Sequence, residues 1–144
     1  MSKTLLIVSG GIEAVPGILK AKEIGLHVVV SDYNPEAPGF RYADDRIIAS
    51  TYDVRETVAA AEEYHKNVRP LDGVICVASD VPLTVASVAE KLGLPGLSIK
   101  TARLAGDKLA MKDRLVKGGI PVPWYKPIMS VQELEEVCRM KGFP

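Results

Sequence analysis

The sequence predicts an α/β domain of three layers, built around a Rossmann-like parallel sheet. Short, uniformly apolar segments alternate with longer segments whose apolar residues recur at helical spacing. Strands separated by helices of ten or more residues are joined by right-handed crossovers, so this alternation predicts a parallel sheet. The strands are also apolar throughout, as expected when helices cover both faces of a sheet.

The four predicted strands are short runs rich in β-branched residues. They occupy residues 5–8, 28–30, 47–49 and 74–77. The crossovers place the second and third strands on one side of the first strand and the fourth strand on the other side. The predicted strand order is therefore 3-2-1-4.

Helices are predicted between and after these strands. They cover residues 12–24, 54–66, 81–92, 99–104 and 108–117, with one more after Ser130. Gly93 supplies a stop for the third of them. Ser130, with Glu133 three residues later, has the pattern of a capping box.

The chain changes character after its third helix. Leu94-Pro95-Gly96 breaks the chain, and prolines stiffen the segment at 121–127, where any strand would lie at a sheet edge. We expect a domain of residues 1–93, a linker at 94–106 and a separate, helical part at 107–144.

Composition excludes several classes of protein. The 144 residues are 47% apolar and 25% charged, and the 18 basic residues balance the 18 acidic ones. This balance argues against a broad surface for nucleic acid or for an anionic membrane. No apolar run is long enough for a transmembrane helix. Cys76 and Cys138 are expected to be buried free thiols, which fits a reducing, cytoplasmic location.

Candidate binding residues follow the predicted strands, because ligands of open parallel sheets bind beyond the carboxyl ends of the strands. Gly10 and Gly11 follow the first strand, where backbone N–H groups and a helix N-terminus favour an anion. The same glycines also suit a tight turn. Asp32 either binds a hydroxyl or ammonium group or is a solvated loop residue. Asp80 either faces a ligand or caps a helix.

Two residues begin predicted helices. Asp53 is expected to cap the helix that follows it. Asp107 is expected to do the same, which leaves Lys108 in the first turn, where the helix dipole does not favour a cation. Lys108 therefore either extends into solvent or has an anionic partner.

A nicotinamide-dependent enzyme is disfavoured. The dinucleotide fingerprint needs three glycines, and Ile12 and Val15 stand where the second and third should follow Gly10. The sequence also lacks the Gly-Lys-Ser/Thr phosphate loop.

The order of motifs resembles the N-terminal part of ATP-grasp ligases, most of all the carbamoyl-phosphate-synthase-like and amino-acid-ligase members. After the Gly-Gly loop come YADD at 42–45, SDVPLTVASVAEKLGLPG at 79–96, Gly-Asp-Lys at 106–108, GGIPVP at 118–123 and the closing Gly-Phe-Pro. The resemblance implies that residues 1–93 are a pre-ATP-grasp domain. It also implies that residues 107–144 begin the first ATP-grasp subdomain, which is incomplete here.

The resemblance also implies an activity for the longer protein. Members of this family join a carboxylate to an amine or another nitrogen nucleophile through an acylphosphate, using ATP and Mg²⁺. Lys108 matches the lysine that contacts ATP phosphates, and Gly10, Gly11, Asp32 and Asp80 would line the substrate side. The grasp loop and metal ligands of the family have no match here, so this chain alone is expected to be inactive.

A second hypothesis needs no further domain. A stand-alone Rossmann-like module could bind a small anion or a nucleotide with the same residues. An apolar, lysine-containing strand encoded beyond Pro144 would favour the ligase instead. The identity of the substrates is open on either hypothesis, and so is the formation of a homodimer.

Overall fold

The computed structural model describes residues 2–142. The chain divides into two compact units, Met1–Gly106 and Asp107–Pro144. The linker expected at residues 94–106 therefore belongs to the first unit. Within the described residues, no helix is long and apolar enough to cross a membrane. The closing Phe143 and Pro144 lie outside the described residues.

A four-stranded parallel sheet forms the centre of the first unit. The strands are β1 (Thr4–Val8), β2 (His27–Asp32), β3 (Asp45–Ile48) and β4 (Gly73–Ile75). Their order is β3-β2-β1-β4, and every pairing is parallel. The predicted strand order is confirmed.

Both outer strands begin and end earlier than predicted, β3 at Asp45–Ile48 and β4 at Gly73–Ile75. In each case an aspartate directly precedes the strand and binds the neighbouring strand twice. Asp44 accepts the Val28 amide on its carboxylate (2.8 Å) and donates its own amide to the Val28 carbonyl (2.8 Å). Asp72 does the same with Thr4, at 2.7 Å and 2.9 Å. These paired bonds fix where the outer strands start.

Helices cover both faces of the sheet. A 3₁₀ turn (Ile12–Ala14) and α1 (Val15–Glu23) pack on one face, where Ile7, Val28 and Val30 face Ile18 and Ala21. On the opposite face lie α2 (Val54–Asn67) and α3 (Pro82–Leu92). The core of that face is larger and consists of Leu6, Val8, Val29, Ile47, Ala49, Ala61, Tyr64, Leu71, Val74, Val81, Val88 and Ala89. The three layers expected from the sequence are confirmed.

Local signals set most helix ends in this unit. The Asp53 carboxylate accepts the Arg55 and Glu56 amides at 2.9 Å and 3.0 Å, so it caps α2 as predicted. Gly93 ends α3 with a φ of 66°, a left-handed conformation that glycine adopts without strain. The last helix of the unit is α4 (Ile99–Gly106), which packs against α3.

The second unit contains α5 (Lys108–Lys117) and α6 (Val131–Lys141). Residues 118–130 between them contain no strand. The Ser130 hydroxyl accepts the Glu133 amide at 3.2 Å, as a capping box requires. However, the Glu133 carboxylate accepts the amide of Met129 (2.7 Å), one residue before the position that a capping box uses.

Candidate functional site

The loop after β1 is held tightly by its neighbours. Ser9 has a φ of 81°, which is uncommon and costly for a residue with a side chain. Its amide donates to the Ser31 carbonyl of β2 at 2.8 Å. The next residue, Gly10, accepts the Gly39 amide on its carbonyl oxygen at 2.7 Å. Strained backbone at the carboxyl end of a strand is typical of binding sites.

Asp32 joins the carboxyl ends of β1 and β2. Its Oδ2 accepts the Gly10 amide at 2.8 Å, and its Oδ1 accepts the Asn34 amide at 3.0 Å. The residue is 7% exposed, so the solvated-loop interpretation is wrong. Each carboxylate oxygen has a further lone pair, so the carboxylate can position the loop and still accept one more donor.

The two glycines of this loop have different environments. A Cβ on Gly10 would lie 2.9 Å from Val30 Cγ1 and 3.2 Å from Ala37 Cβ, so close packing requires glycine there. Because the Gly10 amide is engaged by Asp32, it is not free for a ligand. The Gly11 amide has no acceptor among residues 2–142 and can still bind an anion. Of the two predicted anion donors, the structure leaves Gly11 open.

Asp80 lies beyond β4, on the other side of β1 from Asp32. The α3 helix begins after Val81 and has no side-chain cap, so the helix-cap interpretation of Asp80 is wrong. Asp80 is exposed and lines a cavity of about 300 Å³. The other residues of that cavity are Cys76, Ser79, Pro82, Val85, Ala86, Leu97 and Ala105. An acidic residue beside an apolar wall suits a ligand with a cationic group and an apolar part.

Cys76 is half-buried and shapes the turn after β4. Its sulfur accepts the Ser79 amide at 3.2 Å and donates to the Ser79 carbonyl at 3.0 Å. Cys138 is also half-buried, so the expectation of two buried thiols is wrong. The turn from Cys76 to Ser79 contains Val77 and Ala78, and this apolar composition is why the sequence predicted that the strand continues to residue 77.

Two tyrosines at the ends of β2 and β3 are exposed. Tyr33 is 70% exposed and Tyr52 is 74% exposed. The neighbouring Thr51 is buried, and its carbonyl accepts the Thr84 hydroxyl of α3 at 2.8 Å. The loop after β3 is therefore fixed by α3 and presents Tyr52 to solvent.

In the second unit, Asp107 caps α5 as predicted. Its Oδ1 accepts the amides of Leu109 and Ala110, both at 3.0 Å. Lys108 is exposed in the first turn and forms no ion pair with residues 2–142. Lys112, one turn later, lies 5.1 Å from the centre of the Tyr125 ring. Lys108 is therefore free to contact an anion, whereas Lys112 has a partner in its own unit.

The strongest ionic cluster of the first unit lies at the opposite end of the sheet. Hydrogen bonds from Tyr64 and His27, both at 2.7 Å, lower the pKa of Asp45. Burial would raise the pKa of Asp44, but hydrogen bonds from Lys22 and Val28 outweigh it and lower this pKa. Burial and the bond to Asp45 raise the pKa of Tyr64. This cluster ties α2 to the start of β3.

A metal site was not predicted from these residues. Across residues 2–142, no group of three or more His, Cys, Asp or Glu side chains is placed to hold an ion. The described residues therefore do not fit a Mg²⁺ site.

The parallel sheet, with helices on both faces and polar residues beyond its strand ends, places the first unit in the class of doubly wound α/β domains. The model of the ATP-grasp N-terminal domain matches residues 18–96. The chain belongs to this family of ATP-grasp ligase domains.

Named relatives are ligases and synthases. The carbamoyl phosphate synthase large chain of Thermotoga petrophila is 26% identical over 133 residues, which are 90% of this chain and 12% of that protein. The 3-methyl-D-ornithine–L-lysine ligase of Methanosarcina barkeri is 29% identical over 128 residues, 87% of this chain and 34% of that protein. The chain thus spans between 12% and 34% of the length of these relatives.

A solved structure extends the similarity to almost every residue. The N5-carboxyaminoimidazole ribonucleotide synthetase of Thermotoga maritima has a TM-score of 0.71 at 28% identity. The match covers 99% of this chain and 37% of that one. The similarity therefore includes the second unit as well as the α/β domain.

Proposed function

We propose that this chain is the N-terminal part of an ATP-dependent ligase that joins a carboxylate to an amine or another nitrogen nucleophile. The observation that carries the proposal is the match of nearly the whole chain to a ligase and to a synthetase of this family. When bound, ATP supplies the phosphoryl group that activates a carboxylate as an acylphosphate. In this proposal residues 1–93 are the pre-ATP-grasp domain, 94–106 a connecting segment that packs within the first unit, and 107–144 the start of the first ATP-grasp subdomain.

Lys108 is the residue of this chain that we assign to the nucleotide. It is exposed, lacks an ion-pair partner among residues 2–142, and stands beside the Asp107 cap at the start of α5. A compact ammonium on a long side chain suits a phosphate as a point charge. Lys108 supplies one contact only, so the remaining nucleotide contacts and the Mg²⁺ ligands belong to other parts of the longer protein.

The substrate side of the proposed site uses the ends of β1, β2 and β4. The free Gly11 amide binds an anionic oxygen of the substrate. Asp32 holds the Gly10 backbone in place and so orients that amide. Asp80, exposed at the rim of its cavity, accepts a hydrogen bond from an ammonium group. These roles fit small-molecule substrates that carry a carboxylate and an amine.

The reaction class is tested with the longer protein that contains this chain. The protein is incubated with ATP, Mg²⁺, a panel of amino acids and other carboxylic acids, and hydroxylamine as a trap. We expect ADP and an acyl hydroxamate in equal amounts, because hydroxylamine intercepts an acylphosphate. Release of AMP and pyrophosphate, or ADP without hydroxamate for every acid, would contradict the acylphosphate route. Reactions without carboxylate measure background ATP hydrolysis.

The 144-residue chain alone is expected to be inactive and to bind ATP weakly. A single charge-assisted contact contributes about 1–3 kcal/mol, far below the roughly 8 kcal/mol of micromolar affinity. Calorimetry with ATP and an assay for ADP check both expectations. Micromolar binding by this chain would instead support the stand-alone binding module.

A further inference from the structure

A second cavity opens at the amino end of the sheet, opposite the strand ends of the proposed site. Its volume is about 380 Å³. The residues around it are Ser2, Lys3, Thr4, Val68, Arg69, Pro70 and Asp72. They come from the start of β1 and from the segment that joins α2 to β4. None of them belongs to the proposed ligase site.

The Arg69 side chain is fixed in this cavity by neutral groups. Its Nε donates to the Thr4 hydroxyl at 2.8 Å. Its Nη2 donates to the Ser2 carbonyl at 3.1 Å and to the Ser2 hydroxyl at 3.2 Å. Its Nη1 has no acceptor within residues 2–142. The guanidinium is therefore held in one orientation with part of its donor fork unused.

No carboxylate of residues 2–142 forms an ion pair with Arg69 or Lys3, although Asp72 also lines this cavity. Four lysines of the first unit pair with acids, among them Lys22 with Asp44 and Lys91 with Glu62. Neither Arg69 nor Lys3 forms such a pair with the described residues. The nearby Asp72 carboxylate is directed to the Thr4 amide at 2.7 Å. Two cations and one engaged acid leave the cavity with a net positive charge.

We propose that this cavity binds a phosphate group, free or as part of a small phosphate monoester. A fixed guanidinium offers the planar fork that recognises phosphate oxygens, and Lys3 adds a second charge from the rim. The volume falls within the range of small-molecule pockets, ~300–1,000 Å³, and leaves room beyond a bare phosphate. Because the cavity lies at the amino end of the sheet, this ligand is separate from the substrate groups that we assign to Gly11, Asp32 and Asp80.

The proposal is tested by measuring the binding of inorganic phosphate and of AMP to the 144-residue chain. Calorimetry gives the affinities, and amide NMR shifts locate the binding site. We expect both ligands to shift amides of residues 2–4 and 68–72. Tighter binding of AMP indicates a monoester as the ligand, and equal binding indicates free phosphate. Shifts centred on Gly11 instead, or no binding at millimolar concentration, would overturn the proposal.

Variants then test the two cations. Arg69→Gln should weaken binding about tenfold or more, the loss expected when a charge-assisted bond worth roughly 1.5 kcal/mol or more is removed. Since Arg69 also binds Ser2 and Thr4, Lys3→Gln is the variant that leaves those bonds intact, and it should weaken binding about threefold or more. Lys20→Gln is the control, because Lys20 pairs with Glu23 on the solvent-exposed face of α1. Unchanged affinity in Lys3→Gln, or equal losses in all three variants, refutes the site.

Discussion

The two units of the chain differ in how far their apolar side chains are buried. The first unit buries two cores against its sheet, one on each face. In the second unit, none of residues 107–142 is buried, and Trp124, Met129, Val131 and Met140 are all more than half exposed. Both units form helices with good caps. Most of the stability of a helix in a protein comes from the packing of its apolar face, and within residues 107–142 these faces stay exposed.

The largest expected difference in stability is between truncating a buried leucine of the first unit and truncating an exposed leucine of the second. Leu6 is fully buried in β1, and Leu134 of α6 is 48% exposed. We expect Leu6→Ala to lower the free energy of unfolding by about 2–5 kcal/mol, because it leaves a cavity. Leu134→Ala should cost less than about 1 kcal/mol. Urea titrations followed by circular dichroism measure both values.

The fluorescence of Trp124 sharpens this test. It is the only tryptophan of the chain, so its emission reports on the second unit. We expect Leu6→Ala to shift the dichroism transition more than the fluorescence transition. Equal losses of stability for the two leucine variants would show that the units do not differ as described.

The second prediction concerns Lys108 in the ATP-dependent ligase that we propose. Lys108→Ala should raise the barrier by about 2–4 kcal/mol, by comparison with the loss of a single donor that stabilises developing charge. Turnover then falls roughly 30- to 1,000-fold, while the melting temperature stays unchanged because the dipole does not favour a cation there. Steady-state assays and thermal melts check both parts.

Lys126 supplies the control for Lys108. It is an exposed lysine of the same unit, whereas Lys112 contacts the Tyr125 ring and is unsuitable. Lys126→Ala should leave turnover near that of the wild type. If Lys108→Ala also behaved as wild type, Lys108 would have no part in the nucleotide site.

The third prediction separates the two glycines after β1. Gly10→Ala should destabilise the chain by about 1–3 kcal/mol, because the new methyl group overlaps Val30 and Ala37. For Gly11→Ala, the close atom is the flexible Glu13 carboxylate at 3.0 Å, so we expect a change within about 0.5 kcal/mol. Denaturant midpoints of the two variants decide the matter. A loss confined to Gly11→Ala would contradict the packing described for this loop.

The smallest effect is a pH dependence of the first unit. The pKa of Asp45 is lowered in the folded state by Tyr64 and His27. Its contribution is therefore present above the ordinary aspartate pKa and is lost as pH falls through the lowered value. Since the side chain is 38% exposed, we expect Asp45→Asn to cost only ~1 kcal/mol near pH 7 after solvent screening.

Melting temperatures between pH 7 and pH 2.5 test this pH dependence. The difference in melting temperature between wild type and Asp45→Asn should disappear near pH 2.5. Tyr64→Phe removes a hydrogen-bond donor to Asp45. In that background, Asp45→Asn should lower the melting temperature at pH 7 by less than it does in the wild type. A gap that is constant across the whole range would mean that ionisation of Asp45 contributes nothing to stability.

Two helix caps and the strand order were predicted correctly, whereas the side-chain bonds between distant segments were not. The caps at Asp53 and Asp107 involve amides two and three residues away, and both are as predicted. Strand order follows from the handedness of crossovers, a general rule. By contrast, the Asp32 carboxylate reaches the Gly10 amide across 22 residues. No local pattern indicates that this bond removes one of the predicted anion donors.

The site residues show the same division. A strand end was a good predictor of where Gly10, Gly11, Asp32 and Asp80 lie, because parallel strands end at one edge of the sheet. Their individual environments depended on packing. Asp32 is buried, and Asp80 is exposed and does not cap its helix. Their roles in binding stay predictions.

The aspartates that directly precede the outer strands fix the register of the sheet. β3 has four residues and β4 has three, so neither strand has many ladder bonds with which to select a register. A slip of one residue would turn every side chain to the wrong face. Only one alignment lets Asp44 engage Val28 twice, and Asp72 engage Thr4 twice. Alignment is thus fixed at the amino ends of the strands, so the register does not depend on the loops at the carboxyl ends that carry Gly11 and Asp80.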